Sequence, residues 1–225
     1  MLQHVLKSSL FFFSAILYIS LPDKTPTLEL AILKLLPIIS LVIFAVLHVA
    51  THGTSRFTVG VIIGLIFSGI GDYFLVYKET HFVYGVFGFA VAQLVYGITF
   101  GCKPFKPAVL LLCVIAGSIM YKYIYPGLSS KFVPIIAAYV VLIYFMAWRA
   151  LARFQLKRWT WGQMFCALGA VSFIISDFVI AVDKFRHEIP HRHLIVVVTY
   201  FIAQYGITMA ITDYPSKPRT KKKMK

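Results

Sequence analysis

From residue 5 to residue 212 the chain is a succession of apolar runs, each close to the length that crosses a bilayer. Eight can be marked: 5–21, 28–50, 57–77, 82–100, 107–125, 132–148, 159–182 and 193–212. A helix rises 1.5 Å per residue, so about twenty apolar residues match a hydrocarbon core of about 30 Å. In lipid every backbone polar group must be satisfied internally, and unbroken runs of this length do that only as helices. The predicted fold class is therefore an all-α integral membrane protein with eight transmembrane helices. Composition agrees: 60% of the 225 residues are hydrophobic and 13% are charged, more apolar surface than a soluble domain of this size can hide. The runs leave room for a single polytopic membrane domain over 1–213 and a basic tail over 214–225. The first run follows Lys7 as a signal peptide's would. It has no A-x-A-like cleavage site and is long for a signal's apolar core, so it is read as a helix.

Orientation follows from Lys and Arg. Placing the N-terminus in the cytoplasm puts Arg56, Lys103, Lys106, Arg149, Arg153, Lys157, Arg158 and the basic tail on that side, so both termini are expected to be cytoplasmic. Trp148, Trp159 and Trp161 flank the basic 149–158 loop, as an interfacial aromatic belt does. A net charge of +14 then reads as contact with anionic membrane lipids, not with nucleic acid. The tail ends Lys222-Lys223-Met224-Lys225, which resembles the dilysine signal that returns membrane proteins to the endoplasmic reticulum; the plainer reading is a generic basic tail. Cys102, Cys113 and Cys166 are few, odd in number and set in or beside helices, so no disulfide framework follows.

The third and seventh runs echo one another. GLIFSGIGD spans 64–72 and GAVSFIISD spans 169–177. Each places a Gly eight residues before an Asp and a small residue directly before it. The fourth and eighth runs echo too, in AQLVYGIT from Ala92 and AQYGIT from Ala203. Four crossings return a chain to its starting side, so repeats over 1–101 and 107–213 would run parallel, with sites expected at their interface.

A carboxylate inside such a run is unfavourable by a few kcal/mol or more, so its presence asks for a function. Asp72 and Asp177 each lie five residues before the non-cytoplasmic end of their run, and Lys34 lies six residues after the start of the second. All three fall at one depth, about 7–9 Å inside the boundary. Helical spacing puts Gly64, Ser68, Gly71 and Asp72 on one face, and Gly169, Ser172, Ser176 and Asp177 on another; their small residues allow close helix approach. Two carboxylates and a lysine in one apolar pocket need not share a protonation state, and an acid beside a base is the pairing that hydrolysis needs. Against this, Lys34 could snorkel to the interface, and either Asp could serve as a plain structural acceptor.

The remaining polar residues weigh less. Tyr200 and Gln204 lie one turn apart on the eighth helix, Tyr200 near the Asp level; Gln93 and Tyr96 on the fourth sit deeper. Such residues usually bond neighbouring helices. His187, His191 and His193 cluster in the 183–193 loop without a metal-site spacing; His191 is taken as an interfacial or head-group contact, and neither metal nor cofactor is expected.

At these residues the chain resembles the lysoplasmalogenase family of eight-helix membrane enzymes. The similar stretches are KLLPIISLVIF (34–44), SGIGDYFLV (68–76), GVFGFAVAQLVYGITFG (85–101), VPIIAAY (133–139) and the segment from SDFVIAVDKF to TYFIAQ (176–204). One departure stands out: the family pattern has Ala-His where this chain has Ala92-Gln93. The resemblance implies hydrolysis of the vinyl ether bond of a lysoplasmalogen, with a lysophospholipid as substrate and a fatty aldehyde and glycerophosphocholine or glycerophosphoethanolamine as products. Asp72 and Asp177 would divide the acid and base roles; Lys34, Ser68, Tyr200, Gln204, Gln93, Tyr96 and His191 would bind substrate or tune the pair. The rival reading is a proton-coupled transporter or a lipid-binding membrane receptor, since inward carboxylates in a repeated bundle suit those as well.

Overall fold

The computed structural model describes residues 8–21, 26–155, 157 and 159–214. Among these the regular elements are all helices: α1 (Ser9–Ile19), α2 (Leu28–His52), α3 (Arg56–Val76), α4 (Lys78–Phe100), α5 (Pro107–Ile124), α6 (Phe132–Arg153), α7 (Trp161–Phe185) and α8 (Arg192–Met209). Seven of them, α2 to α8, are long and apolar enough to cross a membrane, whereas α1 has 11 residues. The chain is thus a multi-pass, all-helical membrane protein.

Local chemistry sets the ends. Thr27, Ser55 and Thr160 cap α2, α3 and α7, each side-chain oxygen accepting an N–H bond from three residues on. Gly53 and Gly101, both at positive φ, end α2 and α4. The sequence places the start of the fourth run at residue 82. The helix begins earlier, at Lys78, but His81 leaves helical geometry, so the straight part does begin there. α6 and α7 run past their expected ends, to Arg153 and Phe185, because basic residues continue a helix into the interface without losing water.

The bundle is inside out relative to a soluble protein. Phe13, Phe87, Leu112 and Val141 are exposed, while Arg149, Gln93 and Gln204 are among the fully buried side chains. Without a hydrophobic force between helices in lipid, small residues decide which pairs meet. α3 packs closely on α4, and α7 on α8. A Cβ on Gly88 would stand 2.8 Å from the Gly71 nitrogen, and one on Gly169 would stand 2.8 Å from the Ala203 carbonyl oxygen, so in both pairs backbone meets backbone. α2 leans on α3 and α6 on α4 and α7; α5 sits at the periphery against α6.

Candidate active site

Alternating helix directions bring the start of α2, the end of α3, the start of α4, the end of α7 and the start of α8 to one end of the bundle. There they enclose a cavity of about 570 Å³. Lys34, Asp72, Asp177 and Tyr200 line its inner wall. The three charged residues that sequence places at one depth therefore face one space, and Lys34 reaches inward instead of snorkelling: its Nζ lies 3.0 Å from Asp72 Oδ1.

Asp72 is buried and fully engaged. Its Oδ2 accepts a hydrogen bond from the Tyr200 hydroxyl. Gln204 Nε2 donates to that hydroxyl at 3.2 Å, and the Tyr96 hydroxyl donates to Gln204 Oε1 at 2.9 Å. Ser68, wholly buried, sits beside the Tyr96 hydroxyl. A polar chain thus runs from Lys34 at the cavity through Asp72, Tyr200 and Gln204 to Tyr96 in the core, drawing on α2, α3, α8 and α4. Of this chain only Lys34, Asp72 and Tyr200 touch the cavity; Gln204, Tyr96 and Ser68 lie behind the wall and fix Tyr200 from the rear.

Asp177 is held by less. It is half-buried, its Oδ2 accepts a hydrogen bond from the Tyr139 hydroxyl of α6, and among the described residues it makes no ion pair. Gln93 lies next to Tyr139 and is completely buried. Its carboxamide makes no hydrogen bond of normal geometry, so it touches the hydroxyl without holding it firmly. Tyr139 was not singled out from the sequence. The available signal was that it closes the VPIIAAY stretch; its role needs the packing of α6 on α7, which no one-helix pattern contains.

The mouth of the cavity carries charges of both signs, Lys78, Glu79, Asp183, Lys184 and Arg192, with His193 beside them. Arg192 Nε pairs with Asp183 Oδ2 at 3.1 Å, and Asp183 Oδ1 accepts the Ile189 N–H at 3.2 Å, which anchors the loop before α8. His191 is exposed in the left-handed region at the start of α8 and does not line the cavity; its neighbours Arg192 and His193 do. Among the described residues no group of three His, Cys, Asp or Glu side chains is placed to hold a metal ion.

Such a site can protonate a bound molecule from one carboxyl group and stabilise positive charge or activate water with the other. Comparison with known proteins gives this geometry a context. Residues 30–211 match the YhhN family. Lysoplasmalogenase TMEM86A of Bos taurus is 36% identical over 200 residues, covering 86% of this chain and 82% of that protein. Lysoplasmalogenase TMEM86B of Sus scrofa is 35% identical over 207 residues, covering 91% and 86%. A lysoplasmalogenase homolog of Dictyostelium discoideum is 28% identical over 191 residues, covering 68% and 62%. No solved structure matches the chain.

Proposed function

The chain belongs to the YhhN family, and from that premise we propose that it is a lysoplasmalogenase in which Asp177 is the general acid and Asp72 the base. The substrate is a lysophospholipid whose single chain joins glycerol through a vinyl ether. The carrying observation is that two membrane-embedded carboxylates face one cavity with unequal partners. Asp72 has a cation against it, so its charge is balanced. Asp177 has only a neutral hydroxyl, and an unbalanced charge at that depth is costly, so Asp177 is the one that carries a proton.

The reaction follows from those states. Asp177 gives its proton to the outer alkene carbon, the second carbon of the chain. The ether oxygen's lone pair then makes the first carbon an oxocarbenium ion, which the Asp72 carboxylate stabilises. Water adds to that carbon and loses a proton to Asp72. The resulting hemiacetal loses its hydroxyl proton to Asp177 as its bond to the glycerol oxygen breaks, that oxygen takes the proton held by Asp72, and the fatty aldehyde and the glycerol alcohol separate. Alkenyl ether and water are consumed one for one, so the catalyst ends as it began once the proton returns to Asp177. The mixed charges at the mouth suit a zwitterionic head group: Lys78, Lys184 and Arg192 toward the phosphate, Glu79 and Asp183 toward the ammonium.

Further parts of the reading rest on sequence. The two halves, 1–101 and 107–213, are parallel repeats. With the first run counted as an eighth crossing, both termini are cytoplasmic, which puts the cavity mouth on the opposite side. Lys222-Lys223-Met224-Lys225, outside the described residues, retains the protein in the endoplasmic reticulum.

Aldehyde release from a choline lysoplasmalogen by the purified protein tests the proposal. The wild type releases aldehyde, and the saturated 1-alkyl ether of the same length is not cleaved, since it has no alkene to protonate. A protein that binds or moves the lipid without releasing aldehyde is a receptor or transporter instead.

A further inference from the structure

The space in front of Asp177 has a counterpart behind it. A second cavity, of about 40 Å³, lies among α4, α5, α6 and α7. Leu75, Phe82, Phe89, Asp177 and Ile180 border both spaces, so one layer of side chains divides them. Their linings differ in kind. The larger space holds Lys34, Asp72 and the charged mouth. The smaller is walled by Val86, Met120, Ile136, Val140 and Ala181, and its polar groups are Asp177 and Tyr139, which are bonded to each other. Apart from that bonded pair the lining offers water no partner, and its apolar side chains are suited to hydrocarbon.

Resting on the lysoplasmalogenase reading, we propose that this slot is the chain subsite: it takes the first carbons of the alkenyl chain while glycerol and phosphate stay in the larger cavity. The scissile vinyl ether is where the substrate changes from polar to hydrocarbon, and Asp177 is where the lining makes the same change. The chemistry agrees with that placement. The proton must reach the second chain carbon, on the slot side of the ether, where Asp177 stands. Water must reach the first carbon, on the wet side, where Asp72 stands. The slot is too small for a whole fatty chain, and α5 leans on α6 while barely meeting α4, so the rest of the chain passes into lipid along the α4–α5 seam. The two products then leave by different routes, the aldehyde sideways into the bilayer and the glycerol phosphodiester through the charged mouth.

The first test needs no turnover. A non-hydrolysable 1-alkyl glycerophosphocholine with a diazirine on the fifth chain carbon is photolysed with the full-length protein in lipid nanodiscs, and the adducts are mapped by mass spectrometry. Adducts on α5 and α6, around Met120 and Val140, that vanish with excess unlabelled lipid are the expected result. Adducts confined to α1 and α8, around Tyr18 and Phe201, or no competed adduct at all, overturn the proposal. The second test reads selectivity. Val140→Phe fills the slot and should lower the ratio of kcat/KM for a hexadecenyl over an ethenyl substrate, which has no carbon beyond the second to place there, at least tenfold, whereas Met120→Ala, which widens it, should not lower that ratio. An unchanged ratio in Val140→Phe overturns the subsite. If wild-type protein releases no aldehyde from any substrate, the hydrolase reading has failed, and the adduct map still decides whether an alkyl chain occupies the slot.

Discussion

GLIFSGIGD and GAVSFIISD each end on an aspartate that faces the same cavity, yet the two carboxylates are held differently. Asp72 has an ammonium on one oxygen and a doubly bonded tyrosine on the other; Asp177 has one tyrosine. The cause is visible in the helices that precede them. KLLPII (34–39) and KFVPII (131–136) agree at the lysine, the proline and both isoleucines. α2 begins at Leu28, so Lys34 is nearly two turns inside the helix and reaches the cavity. α6 begins at Phe132, so Lys131 stands just outside it, exposed, with its ammonium 5.2 Å from the Phe132 ring centroid. One motif, shifted by seven residues against its helix start, puts a cation about 10 Å deeper in one half than in the other. The tyrosines differ too. Tyr200 stands four residues before Gln204, whereas Phe89 stands four before Gln93 and has no hydroxyl to offer; Asp177 takes its bond from Tyr139 instead. Two identical carboxylates cannot divide acid and base work. Unequal surroundings are what allow it.

The largest effect should come from the carboxylates themselves. Asp72→Asn and Asp177→Asn should each lower kcat/KM by about 10²–10⁴, the range for loss of a positioned proton donor or acceptor. Turnover undiminished in either variant at equal protein level would remove that residue from the mechanism. The comparison also predicts a difference between the two in thermal stability. Asp72→Asn leaves Lys34, half-buried in the membrane, without its partner and should lower Tm, whereas Asp177→Asn breaks no ion pair and should not.

Next comes the ion pair. Lys34→Met leaves Asp72 as an unbalanced charge in the membrane, and breaking a buried pair from one side costs about 3–5 kcal/mol. The marked fall in Tm this implies should be largely restored in the Lys34→Met/Asp72→Asn double variant. Equal Tm values for the single and double variants would mean that Lys34 does not balance Asp72. Smaller again is the pair of tyrosines. A hydrogen bond to a charged group is worth about 1.5–3 kcal/mol, against about 1 kcal/mol for a neutral one. Tyr200→Phe should therefore lower kcat/KM by about 10–100-fold, and Tyr139→Phe by less. The opposite order would exchange the roles of the two aspartates.

What could be read without the structure was whatever is rare in lipid. Asp72, Asp177 and Lys34 stood out because charge inside an apolar run is expensive, and helical rise put them at one level. The helices themselves were legible for the same reason, with ends in error mainly where Arg149, Arg153 and Lys184 prolong a helix into the interface. Tyrosine carries no such penalty, so nothing in one run marked Tyr139 out from Tyr144 or assigned Tyr200 to Asp72 instead of Asp177. Those pairings depend on which helices touch, α8 on α3 for Tyr200 and α6 on α7 for Tyr139. His191 drew notice as part of a cluster, but a left-handed residue at the start of α8 turns its ring away from the cavity that Arg192 and His193 line.

Gln93 gives the finest test, because it is where this chain departs from the pattern it otherwise resembles. If the histidine of that pattern moved protons, its loss here should show at the cavity. Gln93 does not reach the cavity; it lies behind Tyr139, beside that hydroxyl but without the hydrogen bond that Gln204 gives Tyr200. A side chain in that place can orient a hydroxyl but cannot touch the lipid. Gln93→His should therefore change kcat/KM by less than about threefold, a shift of well under 1 kcal/mol. Gln93→Ala, which leaves the Tyr139 hydroxyl without that neighbour, should cost more, up to the value of one neutral hydrogen bond of about 1 kcal/mol. The discriminating measurement is the pH profile of kcat/KM. A positioning residue lowers the whole profile without moving its limbs, so a limb that appears near neutral pH in Gln93→His alone would make position 93 part of the proton path and would extend the Asp177 side of the site by one residue.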